Sequence, residues 1–328
     1  MTASTTTVPT SFGRGTVTIQ CNSSSICNNN PTTHSLLIVT LNRPKVKNAM
    51  NDHVYLDLLD CMELVLSNNN NYAGILLTGT GDYFSSGADL TSSHDVVVTT
   101  NDTHDNDTTD TTSTLQHRPA GQFMKQWISF PKLKCAAVNG PAIGIAVTLL
   151  FHCDLVWCSG MATFWTPFAR LALVPELCSS VTMVETMGIS KANELLLLGR
   201  KIDATTALNW NIVSRVVDIA DYTTATTIQQ QEQSLAMIMA HDITSNLLSL
   251  VHSDGTIAVF CQLIRGKSRM ERLQRICEEE LIELDKRMMA GECLEAAMQL
   301  HLGKKKRSGT STTTTTDSEE HFHQQSKL

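Results

Sequence analysis

Two apolar, β-branched runs, Ser35-Leu36-Leu37-Ile38-Val39-Thr40-Leu41 and Ala73-Gly74-Ile75-Leu76-Leu77-Thr78, stand on either side of one amphipathic segment, and that order leaves few folds open. A strand, a crossover helix and a second strand pair as parallel neighbours in a sheet covered on both faces. The first run stops at Asn42-Arg43-Pro44. Asn51 or Asp52 then caps a helix to about Leu66, in which Val54, Leu58, Leu59, Met62 and Val65 form a core-facing stripe. Further along, 121–130 reads as a helix, and Cys135 to Asn139 as a buried strand running into Gly140-Pro141. Ala142 to Phe151 carries no charge and is predicted to be a buried helix. Short strands are expected at 162–165 and 212–217, with helices at 179–187 and 191–198. From Tyr222 to about Leu302 the spacing is helical, over 227–239, 245–250, 257–264, 270–289 and 292–301. The expected architecture is an α/β body followed by a helical C-terminal region.

Composition narrows the function. The chain has 328 residues, 42% of them hydrophobic, and its formal charge of −7 argues against a nucleic-acid surface, which needs clustered Lys and Arg. Ten cysteines are scattered without paired spacing and read as reduced core residues. No zinc-ligand spacing occurs, so no metal is expected. No apolar run approaches the roughly 18–20 residues of a membrane span, and the N-terminus has no basic segment leading into an apolar one. A soluble, non-secreted chain is expected. Residues 1–33 are rich in Thr, Ser and Asn and predicted to be a disordered extension, with only a short apolar alternation at Val17-Thr18-Ile19. Residues 34–220 form the predicted core, interrupted at 91–116 by an Asp/Thr-rich flexible insertion; it lacks the central Gly and terminal Glu of a calcium loop. Residues 221–305 form the helical region and 306–328 a polar tail. The tail ends in Ser326-Lys327-Leu328, the tripeptide read by the peroxisomal import receptor, so a peroxisomal matrix location is expected.

Three loops at strand ends carry the chemistry. Ser85-Ser86-Gly87-Ala88-Asp89-Leu90 has small residues that let a ligand approach backbone N–H groups, although an ordinary polar turn reads the same way. Asn139-Gly140-Pro141-Ala142-Ile143-Gly144 places Pro at a predicted helix start, which would leave the Gly140 N–H at the positive end of a dipole. Val174-Pro175-Glu176-Leu177-Cys178-Ser179-Ser180 sets a carboxyl among apolar neighbours, where desolvation raises its affinity for a proton; a helix cap is the plainer alternative. Gly79 and Gly81 lack the third glycine of a dinucleotide fingerprint, since Phe84 stands there.

Taken together with Leu41-Asn42-Arg43-Pro44 and Leu77-Thr78-Gly79-Thr80-Gly81, these loops resemble the signatures of the crotonase, or enoyl-CoA hydratase/isomerase, superfamily over about His34 to Leu302. The resemblance implies a ββα-spiral core, a helical C-terminal oligomerisation region, and trimers or dimers of trimers. It also implies a fatty acyl-CoA substrate, with no cofactor beyond the CoA that the substrate carries. By motif match, the backbone N–H groups of Ala88 and Gly140 form an oxyanion hole. Ser85, Ser86, Gly87, Asp89 and Leu90 belong to the substrate loop, and Lys45 and Val46 lie near the CoA adenine.

The carboxylates select within that superfamily. Thr148 and Phe168 fall where its hydratases carry their two glutamates. Glu176 and the following Cys178-Ser179-Ser180 resemble the single-glutamate segment of peroxisomal Δ3,Δ2-enoyl-CoA isomerases, as does Gly291-Glu292-Cys293. The implied activity is therefore isomerisation of a 3-enoyl to a trans-2-enoyl thioester in β-oxidation of unsaturated fatty acids, with Glu176 as catalytic base. Dienoyl-CoA isomerisation, acyl-CoA thioester hydrolysis and a catalytically silent acyl-CoA-binding role are the alternatives. Leu177 replaces the glycine usual after that glutamate and is expected to narrow the acyl pocket or to move the loop.

Overall fold

In the computed structural model, residues 14–21, 35–67, 72–90, 114–218, 238–246, 254–293 and 295–299 are described. Strand β1 (Val17–Cys21) pairs antiparallel with β2 (Ser35–Leu41), and the helix α1 (Asp52–Ser67) carries the chain over to β3 (Tyr72–Gly79), parallel to β2. Helix α2 (Pro119–Ser129) leads into β4 (Leu133–Val138), which pairs parallel with β3. Two-residue β5 (Ala142–Ile143) and the single turn α3 (Ile145–Thr148) precede β6 (Leu155–Ser159) and β7 (Thr163–Trp165). Helices α4 (Ser179–Met187) and α5 (Ile189–Leu196), strand β8 (Ile202–Asp203), helix α6 (Ala204–Asn209) and strand β9 (Arg215–Val217) follow. The described C-terminal part contains helix α7 over 238–246, α8 (Asp254–Arg265) and the long α9 (Lys267–Met289). Among the described residues, the main sheet runs β1-β2-β3-β4-β6-β9 and a small one runs β5-β7-β8.

The alternation of side chains explains why the strands read as unbroken apolar runs. Leu37, Val39, Ile75, Leu77, Ala136 and Val138 face one core, while Leu36, Ile38, Leu76, Cys135 and Ala137 face another. The first core is closed by α1, α2 and α9, and the second by α7 and α8 through Met239, Ile243, Ile257 and Cys261. Strands β3 and β4 approach so closely at Gly74 that a Cβ there would lie 2.3 Å from the Leu133 carbonyl oxygen. Lys134 is 1% exposed and still satisfied, since its Nζ donates to the Trp127 carbonyl at the end of α2 (2.6 Å). Burial pushes this ammonium down to about 7. Helix α8 is fixed by Arg265, which donates to Asp154 (2.6 Å) and to the carbonyls of Phe130 and Lys132. Among the described residues, no helix is long and apolar enough to cross a membrane.

Four expectations change. Val17–Cys21 is a sheet strand, not part of a disordered extension, because Val17 and Ile19 find a core beside Asp57 and β2. Ala142 to Phe151 is not one helix: Ala142–Ile143 pairs with β7, and the helical turn starts only at Ile145, after Gly144 at φ +58°. Residues 114–116 belong to the body, with Leu115 buried, and not to the insertion; residues 91–113 lie outside the described ones. Helix α7 covers 240–244, which the spacing places between two helices.

Candidate active site

Several chain segments build one cavity of about 440 Å³. Its walls come from 50–55, 86–90 and 143–145, from Pro167, Phe168, Leu171, Leu173 and Glu176, and from α2 and α9 through Met124, Leu284 and Met288. Most of this wall is apolar, interrupted by a few polar side chains, as is usual for ligand pockets.

The first loop is held by its neighbour. Asn48 accepts from the Arg43 N–H, and its amide donates to the carbonyls of Thr80 (2.9 Å) and Tyr83 (2.8 Å). Ser86 N donates to Lys47 O, Met50 N to Gly87 O, and Asp89 N to Met50 O. Arg43 closes the clasp, donating to the Ala49 carbonyl and pairing with Asp89 at 3.0 Å. Gly87 is required here twice over. Its φ is +85°, and a Cβ would fall 2.5 Å from the Ile143 carbonyl oxygen, where the second loop passes.

Of the residues expected in the substrate loop, Ser86, Gly87, Ala88, Asp89 and Leu90 line the cavity. Ser85 does not: it is buried beneath the loop, its hydroxyl donating to Asn48 O (2.7 Å) and accepting from the Gly87 N–H. Lys45 and Val46 are exposed on the turn Pro44–Val46, beside Ser86 and outside the cavity wall.

Gly140 does not form part of the wall either. It packs against the turn after β3, where a Cβ would lie 1.9 Å from the Asp82 carbonyl oxygen. The helix starts four residues later than Pro141 suggests, and the cavity is instead met by Gly144 and Ile145. Gly140→Ala is accordingly expected to act on folding, destabilising the protein by about 1–3 kcal/mol as judged by denaturant unfolding, because overpacking against backbone cannot relax cheaply. Among the described residues, the N–H groups of Ala88 and Ile145 donate to no protein acceptor, and both residues line the cavity.

Glu176 reaches the same cavity from the segment before α4. It is 8% exposed, and no donor among the described residues bonds its carboxyl oxygens. Burial, reinforced by the Glu280 carboxylate, pushes this carboxyl up to about 8. Leu177 and Cys178 both adopt left-handed backbone, φ +53° and +58°, a conformation costing roughly 1–2 kcal/mol for each non-glycine residue. Leu177 thus takes the shape expected of glycine while its side chain enters the core and not the cavity, so it does not narrow the pocket. Ser179 closes the turn, its Oγ accepting from Glu176 N (3.2 Å) and its N–H donating to Glu176 O.

Several cavity residues carry no signal in the sequence. Asn51, Asp52, His53 and Tyr55 open α1, and Leu115, Met124 and Met288 lie far from any motif. Their helical or apolar setting indicates packing and nothing more. Asp52 and Asp89 add two more carboxylates to the wall, the latter engaged by Arg43. The Thr148 hydroxyl is buried and bonds the Ile145 carbonyl (3.3 Å), whereas the Phe168 ring lines the cavity.

A largely parallel sheet with helical cover thus brings two apposed loops with free N–H groups and a buried carboxyl to one cavity. Residues 31–245 match the enoyl-CoA hydratase/isomerase family, to which the chain belongs. It is 33% identical over 268 residues to enoyl-CoA delta isomerase 2 of Rattus norvegicus, a match covering 82% of this chain and 61% of the relative. It is 40% identical over 178 residues to enoyl-CoA delta isomerase 3, peroxisomal, of Mus musculus, covering 54% of this chain and 53% of the relative. The match therefore spans between one half and about three fifths of these relatives' length. Among solved structures, an enoyl-CoA hydratase/isomerase from Pseudoalteromonas atlantica T6c superposes with a TM-score of 0.68 at 27% identity, covering 88% of this chain and 97% of that one.

Proposed function

We propose that this protein is a Δ3,Δ2-enoyl-CoA isomerase that uses Glu176 as its single acid–base group. The observation that carries the reading is the desolvated Glu176 carboxyl in an apolar cavity shared with the free N–H groups of Ala88 and Ile145; the sequence resemblance adds that Thr148 stands where hydratases carry one glutamate and Phe168 near the other. The C2 proton of a 3-enoyl thioester is acidified by both the carbonyl and the double bond. Its removal by the Glu176 carboxylate leaves a dienolate whose charge rests on the thioester oxygen. The two N–H donors stabilise that oxygen by several kcal/mol in a water-poor site. Protonated Glu176 then delivers the proton to C4, and the double bond moves to C2–C3. The relatives named as delta isomerases support this assignment. In this reading Lys45 and Val46, exposed beside Ser86, meet the adenine end of CoA, and the substrate's CoA is the only cofactor the chemistry needs.

The test is to supply a 3-enoyl-CoA to purified protein and follow the conjugated 2-enoyl thioester. Its pH dependence has a defined sign: Glu176 must be ionised to act, so kcat should rise with pH through about 8 and level off above it. Stability runs the other way. Below 4.5 folded and unfolded chains both hold this proton; between there and about 8 only the folded chain does, so this group's contribution to stability falls as pH rises through that window. Asp52 and Asp89 in the wall favour dienoyl-CoA isomerisation as the second reading, which a 3,5-dienoyl-CoA tested in parallel would reveal. Residues 326–328 lie outside the described ones; deleting them should leave a tagged protein in the cytosol, and unchanged import would refute a peroxisomal address.

A further inference from the structure

The peptide group that follows the proposed base is held from both sides. The carbonyl of Leu177 accepts from His152 Nε2 (2.8 Å), and the N–H of the same peptide, on Cys178, donates to Glu280 Oε2 (2.6 Å). Glu280 Oε1 also accepts from the Ser180 N–H (3.2 Å) and hydroxyl, so a carboxylate from α9 caps the first turn of α4 across 100 residues of sequence. The Cys178 thiol adds a bond to the Leu273 carbonyl (3.0 Å). Both residues of this peptide are non-glycine in left-handed backbone, which the local chain alone would not hold.

We propose that His152 and Glu280 form a two-sided clamp on the Leu177–Cys178 peptide and are positioning residues that fix the Glu176 carboxyl over its substrate. This rests on the isomerase reading of the cavity.

The chemistry of each partner fits its side. A carbonyl accepts only, so Nε2 of His152 carries hydrogen. Burial, with Lys134, Arg269 and Arg265 around it, pushes this imidazole down to about 3, so it stays neutral and the clamp does not switch off in the working range. Glu280 has a second effect, because its like charge helps hold the proton on Glu176. Tyr55 on α1 lines the same cavity as Glu176, as do Asp52 and Asp89. Glu280, Leu284 and Met288 repeat every four residues on α9, so the helix that holds the clamp also lines the acyl cavity one and two turns further on.

The test uses the full chain and four forms: wild type, His152→Leu, His152→Gln and Glu280→Ala. The Leu variant keeps the bulk and removes the donor, whereas Gln restores an N–H. The clamp predicts at least about a tenfold fall in kcat for His152→Leu and Glu280→Ala with KM within about twofold, since a misplaced base costs rate more than binding. It predicts recovery to within about threefold in His152→Gln. Hydrogen exchange at the 178–180 amides should quicken in both disrupted variants, whether or not the substrate assignment holds. Glu280 is half-buried, so its variant decides the matter if His152→Leu does not fold. Wild-type kcat in Glu280→Ala, unchanged exchange at 178–180, or a His152→Leu loss that Gln does not recover would overturn the clamp. A wild type that does not isomerise 3-enoyl-CoA, with exchange responding as stated, would remove the function and leave the clamp standing.

Discussion

Replacing Glu176 by Gln is expected to lower kcat for 3-enoyl-CoA by about 10²- to 10⁴-fold with KM within about threefold. The amide would fill the same space and could not take a proton. The hydratase positions offer no substitute, since Thr148 is buried and bonded to its own turn and Phe168 is a hydrocarbon wall, and the nearby Asp89 is engaged by Arg43. Removing an acid that is costly to ionise when buried should also stabilise the fold at alkaline pH, flattening the decline between 4.5 and about 8. Lower activity accompanied by higher stability above pH 8 is a combination that general damage to the site would not give. The check is steady-state kinetics beside thermal melts across that range.

Gly87→Ala should produce the second largest effect, a fall in kcat of about 10²- to 10³-fold, comparable to loss of one oxyanion donor. The new Cβ meets the Ile143 carbonyl at 2.5 Å, and Ala88 is the next residue, so relief of the clash displaces one of the two proposed N–H donors. Gly144 makes a useful control. Its φ is +58°, yet nothing lies within 4 Å of a Cβ built there, so Gly144→Ala carries backbone strain alone and should cost about tenfold or less. Equal effects at the two glycines would argue that conformation, and not the approach of the two loops, sets the site.

Much of this is readable in the chain, for identifiable reasons. The strands at Ser35–Leu41 and Tyr72–Gly79 are legible because both faces are buried, which writes an unbroken apolar run. Glu176 is legible because a carboxylate among Val174, Leu177 and Cys178 needs an explanation. The second donor is not. Ala142 to Ile145 reads as apolar helix by composition, and only the pairing of Ala142–Ile143 with β7 delays the helix start and moves the cavity-facing position from Gly140 to Ile145. Strand β1 is hidden because an edge strand of five residues has too little apolar content to stand out from a polar extension. Glu280 and His152 are invisible for another reason. One sits among acidic residues on an exposed-looking helix, the other in an apolar turn, and neither has meaning until the fold brings both to one peptide bond.

In the proposed mechanism one carboxyl moves one proton between two carbons. A single turnover of a 3-enoyl-CoA carrying deuterium at C2, with the product read by mass spectrometry and NMR, follows that proton itself. The expected result is a trans-2-enoyl-CoA with deuterium delivered to C4 by the wild type and no turnover by Glu176→Gln. Formation of a 3-hydroxyacyl-CoA, or of a 2-enoyl product at an undiminished rate by Glu176→Gln, would contradict it.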